Sequence, residues 1–459
     1  MVEKATINGP TTEQIAKVAT GSIIGSIIEQ YDFLVTGTIA GLVWGTLFFG
    51  PYGGIVGAIS TYALGIMVRP IGATIFGQIA DKSGRRNSMV YAIVLMGIST
   101  LIIGLVPVGV GLIDLIAVAV ILLMRVFQGI SFGAEFGTAS TWVNEYAARS
   151  KNRVFWSGWV AFAVPIGITM ATVFALMLED YQGISFFESG SYYAGWRILF
   201  YIGFIVAIVG LIIRLKLDDS SIFEKFKKEK KTLKYPALTV WKELPKKVLV
   251  LSLINGAFGA LFYLVFVFGE TYMIGVGFSA IAATEIMVIG AVAMFFMMLF
   301  GTYLGGRYGR KLPVIVSLVI ILIFSTPFFV ILNTRSFIFS ALAVILLYSG
   351  GFGIAYGALP ALYTEYFPTK YRASGASASY QFSQVYGGGL APIIAVYIFA
   401  AIGDVKAFPY IAAIAVFYAT MAMVAMIILT DTKNVNLEKY TSTTDQVSDL
   451  EVAQGKGGI

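Results

Sequence analysis

The 459-residue chain contains no histidine and no cysteine, and only 12% of its residues are charged. Without cysteine there are no disulfides, no thiolate nucleophile and no sulfur metal ligand. Without histidine the commonest general base and metal ligand is missing too. No catalytic residues, no metal site and no cofactor are therefore expected, and any proton the protein moves has to ride on a carboxylate. What is abundant is apolar: 58% of residues are hydrophobic and mean hydropathy is +0.83. A soluble domain cannot bury that fraction, so the lipid bilayer is the expected solvent. The net charge of +7 does not point to nucleic acid, because the basic residues crowd into short alternating loops, the positive-inside pattern.

Apolar runs of about 20 residues, the length that crosses a bilayer as a helix, predict spans near 18–46, 53–79, 87–108, 113–144, 154–178, 196–216, 247–275, 280–304, 312–332, 337–364, 373–402 and 407–430. One set of loops holds Lys82, Arg85 and Arg86; Arg149, Lys151 and Arg153; the run Lys225 to Lys247; Arg307, Arg310 and Lys311; and Lys370 and Arg372. The opposite set holds little beyond Arg197, Arg335 and Lys406. The basic loops and both termini are therefore expected on the cytoplasmic side of the plasma membrane. Residues 1–17 read as a polar cytoplasmic segment without a cleavable-leader pattern, 18–216 as a first bundle, 217–246 as a linker, 247–430 as a second bundle and 431–459 as a disordered cytoplasmic tail. Within the linker, Phe223-Glu-Lys-Phe-Lys-Lys-Glu-Lys-Lys reads either as an amphipathic interfacial helix or as a solvated anchor.

Two landmarks recur. Gly77-Gln-Ile-Ala-Asp81-Lys82-Ser-Gly84-Arg85-Arg86 returns, damaged, as Gly305-Gly306-Arg307-Tyr-Gly309-Arg310-Lys311, and aligning Gly84 with Gly309 sets Gly306 where Asp81 stands. Asn144-Glu145-Tyr146 followed by Arg153 returns as Thr364-Glu365-Tyr366 followed by Arg372. Both recurrences have nearly the same offset, which implies two parallel repeats related about the membrane normal, the construction of many secondary transporters. The expected fold is an all-α membrane protein of twelve transmembrane helices in two pseudo-symmetric six-helix bundles.

The Gly-x-x-x-Asp-Lys-x-Gly-Arg-Arg loop resembles the signature of the major facilitator superfamily. Glu29-Gln30-Tyr31-Asp32-Phe33, Arg69-Pro70-Ile71-Gly72, the stretch Arg125 to Glu135 around Gln128-Gly129, Gly195-Trp196-Arg197 and Glu365-Tyr-Phe367-Pro368-Thr369 are similar to the metabolite:proton symporters within it. Gln30 and Ala134 depart from that pattern, where an aromatic and a glycine are usual. The resemblance implies proton-coupled uptake of a small organic acid or zwitterionic metabolite by alternating access, in a monomer whose partners are substrate, protons and lipid. Rival readings are a sugar:proton symporter, an exporter, and a transport-fold receptor that moves nothing.

Charged residues at mid-membrane each cost about 2.5–3.5 kcal/mol at a helix centre, so they should face a cavity and have partners. Asp32 and Arg125 fall at similar depth. The resemblance makes them the pair that links protonation to movement; the alternative is a permanent interhelical salt bridge. Glu29 and Glu135 are candidate further proton sites, with Glu135 free to pair with Arg69 instead. Arg69 is the candidate anion receptor, because a guanidinium holds a carboxylate bidentately. Tyr31, Gln128, Trp159, Asn255, Tyr263, Tyr356, Gln381 and Gln384 are candidate substrate contacts, each equally open to a packing role. For gating the candidates are Gly77, Asp81, Gly84, Arg85, Arg86, Glu145, Arg153, Arg307, Arg310, Glu365 and Arg372. Asp81 is expected to accept from an opposing helix amino terminus, and Arg85 and Arg86 to bind Glu145. Lacking a carboxylate, the copy at Gly306 should latch more weakly.

Overall fold

A computed structural model describes residues 10–50, 54–229, 232–402 and 404–438. Among them there are helices and no strands. The membrane helices are α1 (Thr12–Ile39), α2 (Gly54–Met67, continued after one residue by Arg69–Ser83), α3 (Arg85–Leu105), α4 (Leu112–Tyr146), α5 (Arg153–Gln182) and α6 (Gly195–Leu215) in the first half. The second half holds α7 (Pro245–Gly275), α8 (Ala280–Tyr308), α9 (Lys311–Leu332), α10 (Phe337–Glu365), α11 (Thr369–Phe399) and α12 (Phe408–Ile428). Eleven of these are long and apolar enough to cross a bilayer by composition alone. The twelfth, α1, has 28 residues and is less apolar because Glu29, Gln30 and Asp32 occupy its middle. It starts six residues before the apolar run does, because Thr11 and Gln14 close a capping box over its first turn.

Local chemistry sets the bends that matter for the site. Pro70 cannot donate to the preceding turn, so α2 breaks at Val68 and restarts at Arg69, which projects inward at the break. Wide π-turns begin at Tyr263 in α7 and at Gln384 in α11, the second running through Gly387, Gly388 and Gly389. Such turns offset the helix register and concentrate at functional sites. Where the halves touch, small residues let backbones approach: a Cβ on Gly77 would lie 2.8 Å from the Ser374 Cα. Large apolar side chains such as Phe296, Ile338 and Val396 remain exposed around the outside, the belt that lipid covers.

Two segments differ from the sequence expectation. In the linker, helix Ser221–Lys228 buries Phe223 and Phe226 against the protein itself, with Phe223 under the Arg85 guanidinium at 4.4 Å. Its aromatic face is therefore spent on the basic loop. Residues 431–438, expected to begin a disordered tail, lie packed: Val435 and Leu437 are buried beside Ala148 and Ile222, and Asp431 caps the start of α9. Short as it is, the segment carries two apolar anchors and a capping carboxylate. The rest of the expected tail, 439–459, lies outside the described residues.

Candidate functional site

At mid-membrane the first half carries a connected polar network. Thr100 donates to Asp32 at 2.6 Å, Gln128 donates to Thr100 at 3.0 Å, and Arg125 donates to Gln128 at 2.7 Å. Asp32 and Arg125 themselves stand 3.9 Å apart, close enough for charge attraction without a hydrogen bond. One Asp32 oxygen and the Arg125 Nε have no hydrogen-bond partner. The pair is therefore held by intermediaries, Thr100 and Gln128, and is not a tight bidentate bridge.

A second cluster lies one helical turn away. Arg214 pairs with Glu135, which also accepts from Ser26 at 2.9 Å, and the Glu29 carboxyl adjoins that of Glu135. Glu135 is thus not the partner of Arg69. Arg214, which supplies the charge instead, is not among the residues the sequence singles out: it sits in the last turn of an apolar helix, and the space it fills exists because Gly25 has no side chain. Two carboxyls beside one guanidinium can share a proton.

Arg69 has a different environment. It is buried, stacked on Phe132 at 3.7 Å and Phe33 at 4.5 Å, and lies beside the Tyr263 phenol. Among the described residues no carboxylate reaches it. It lies on the wall between two small cavities. The first, of about 10 Å³, is lined by Asp32, Arg125 and Gln128; the second, of about 20 Å³, by Gln30, Tyr263, Tyr356, Tyr380 and Gln384. These volumes hold a water at most. Phe33 and Tyr62 of the first half meet Tyr263 of the second, so these rings close the space between the halves.

The second half contributes neutral groups. Tyr356 and Tyr380 share a hydrogen bond of 2.8 Å, Asn255 donates to Ser383 at 2.6 Å, and Gln381 crosses to the first half to donate to the Phe132 carbonyl at 3.0 Å. Two expected contacts lie elsewhere. Tyr31 points away from the cavities and donates to the Leu199 carbonyl at 2.9 Å, because the helical period turns it to the opposite side from Gln30 and Phe33. Trp159 packs among Phe155, Trp156 and Phe162, where tight turns interrupt the start of α5.

Toward the basic loops the halves are closed by a doubled network. Asp81 accepts from the backbone N–H groups of Ala373 and Ser374 at 3.1 and 2.8 Å and pairs with Arg85 at 3.2 Å. Glu145 receives Arg85 from its own half at 3.0 Å, Arg372 from the other at 2.8 Å, and the Ser220 hydroxyl. The second copy matches: Glu365 receives Arg310 of its own half at 2.9 Å, Arg153 of the other at 2.7 Å, and Thr432 at 2.5 Å. Gly84 and Gly309 start their loops at φ +121° and +110°, a conformation that strains other residues, with Asp219 and Asp431 seated in the space a side chain would need. Burial pushes the Asp219 carboxyl up, against the opposing pull of Arg85. Arg86 does not reach Glu145; it donates to the carbonyls of Arg214 and Leu215, one position round the helix from Arg85. Arg307 stays exposed on Tyr303 and outside the network.

Residues 15–392 match the Major Facilitator Superfamily. The chain is 29% identical over 433 residues to the inner membrane metabolite transport protein YhjE of Escherichia coli strain K12, covering 92% of this chain and 95% of that protein. It is 27% identical over 385 residues to the citrate-proton symporter of Salmonella typhi, covering 83% and 86%. Its fold matches the solved structure of the proton:xylose symporter XylE bound to 6-bromo-6-deoxy-D-glucose, with a TM-score of 0.73 and 17% identity over 96% of this chain and 99% of that one.

Proposed function

The chain belongs to the Major Facilitator Superfamily and is a transporter, not an enzyme; on that premise we propose that it takes up a small organic acid or zwitterionic metabolite together with protons. The observation that carries this reading is Arg69, a buried guanidinium on the wall of both cavities whose partners are a phenol and two aromatic faces. A desolvated cation without a counter-ion is costly, and a carboxylate arriving from the cavity offsets that cost. The citrate-proton symporter among its relatives accords with an acidic substrate and with proton coupling.

In this reading the halves 18–216 and 247–430 rock about the site, the basic face is cytoplasmic, and a monomer suffices. With the basic face closed, rings at Phe33, Phe132 and Tyr263 part to admit the substrate to Arg69. Asp32 takes a proton, its attraction for Arg125 falls, and the Thr100–Gln128 chain is free to rearrange. Opening to the cytoplasm then requires Asp81 to leave the α11 backbone and the Glu145 and Glu365 bridges to part. Glu29 and Glu135 at Arg214 lie on the basic-face side of Asp32 and offer the proton a next station.

The phenols and amides of Tyr263, Tyr356, Tyr380 and Gln384 favour a second reading, a neutral polyol or sugar held by hydrogen bonds alone. Uptake into proteoliposomes decides between them. Carboxylates should be accumulated when a pH gradient is imposed, and neutral sugars should not compete. Arg69→Lys keeps the charge but loses the fork, and should weaken carboxylate binding by about tenfold to a hundredfold. Unchanged carboxylate affinity in Arg69→Lys and Arg69→Ala alike would select the sugar reading.

A further inference from the structure

The two loop networks on the basic face are near copies, and they differ in charge. On the first side Arg85 and Arg372 are balanced by two carboxylates, Glu145 and Asp81. On the second, Arg153 and Arg310 share Glu365 and no other carboxylate among the described residues, and Gly306 stands where Asp81 stands in the first copy. The same comparison holds one layer out. Lys370, in the short turn that begins α11, pairs at 2.9 Å with Glu243 of the linker. Lys151, in the corresponding loop before α5, is exposed and has no ion-pair partner among the described residues. Among the described residues the second side is therefore two negative charges short of its mate.

The place where those charges would sit is open. A Cβ on Gly306 would meet no atom within 4 Å, whereas the neighbouring Gly305 is in close contact with Val154. Around Gly306 lies a cavity of about 650 Å³ lined by Arg149, Lys151, Arg153, Arg310 and Lys433, with Glu438 as the one carboxylate among the described residues that line it, engaged by Arg149 at 2.7 Å. Arg153 is buried, and its Nε has no hydrogen-bond partner. At the pseudo-equivalent position Asp81 accepts from two backbone N–H groups of α11.

We propose that this cavity binds a phosphate dianion, as the free ion, on a small phosphomonoester or on a phosphomonoester lipid headgroup, which supplies the charge that Gly306 does not. A phosphate group carries about −1.5 to −2 at neutral pH and presents three acceptor oxygens, matching a two-charge deficit among forked guanidinium donors. Bound there it ties α8 to the start of α5 across the two halves, as Asp81 ties α2 to α11. It therefore stabilises the form closed on the basic face and makes opening sensitive to phosphate on that side.

The test uses the full-length protein in phosphatidylcholine nanodiscs, melted during titration with inorganic phosphate against chloride at matched ionic strength. A parallel arm replaces part of the lipid with phosphatidic acid, whose headgroup is a phosphomonoester, and omits free phosphate. A saturable rise in Tm in either arm is expected, and the arm that responds identifies the source. Gly306→Asp, which provides the carboxylate within the chain and has room for it, should raise the basal Tm and weaken the response about tenfold or more. Lys151→Glu, an exposed change, should weaken the response similarly if Gly306→Asp fails to fold. No rise in either arm, or equal rises in wild type and in the folding variant, overturns the proposal.

Discussion

The two halves share a fold and divide their chemistry. The first buries Asp32, Arg69, Arg125, Glu29, Glu135 and Arg214 within its membrane helices; the second offers Asn255, Tyr263, Tyr356, Tyr380 and Gln384 at the facing surface. At the basic face they converge, each with one glutamate clasped by one arginine from either half. Symmetry is thus kept in the glutamate clasps of the basic face and lost among the buried charges at mid-membrane. A gate needs matched, reversible contacts on both sides of its axis. A coupled site needs a titratable partner on one side and a neutral, shape-forming surface on the other.

The largest effect should come from breaking the charged half. Asp32→Asn keeps the hydrogen bond from Thr100 but removes the titrating oxygen, so gradient-driven accumulation should fall to equilibration while counterflow exchange continues; uptake of labelled substrate in vesicles, with and without a pH gradient, reads both. Next is the gate. Glu145→Gln leaves Arg372 buried without its counter-charge and Arg85 with Asp81, a loss on the order of 3–5 kcal/mol, and Glu365→Gln, which takes the shared carboxylate from both Arg153 and Arg310, should cost at least as much. Spin-label distances across the basic ends of α2 and α11, and of α5 and α8, should lengthen in both variants; lengthening confined to one of them would show that the two clasps are not equivalent. Asp81→Asn should shift the same α2–α11 distances less, since one acceptor oxygen remains for the α11 backbone. An unchanged distribution there would remove Asp81 from the gate. The smallest effect is expected from Tyr31→Phe, which loses one hydrogen bond to Leu199, worth about 1 kcal/mol of stability, and leaves substrate affinity unaltered in binding titrations.

Much of this is legible in the residues. Hydropathy and loop charge locate the helices, and the damaged repeat at Gly306 marks the carboxylate that the second loop network lacks. The depth of Asp32 and Arg125 brings them to one level, but nothing in their spacing reveals that Thr100 and Gln128 stand between them. The motif groups Tyr31 with its neighbours, whereas the helical period sends it to the other face. Arg214 looks like an ordinary terminal charge, since the space that receives it is left by Gly25 on a helix distant in sequence. Asp431 and Thr432 read as polar tail, and their roles at Gly309 and Glu365 depend on where α12 ends.

The division of labour is tested most directly by proton movement itself. Substrate added outside proteoliposomes holding the wild-type protein should raise the external pH as protons enter with it. Gln384→Leu or Tyr356→Phe should reduce the rate and leave the number of protons per substrate unchanged, whereas Asp32→Asn should abolish the pH signal while exchange persists. A pH signal of wild-type stoichiometry from Asp32→Asn, or a changed stoichiometry from either variant of the second half, would contradict the assignment of proton coupling to the first half alone.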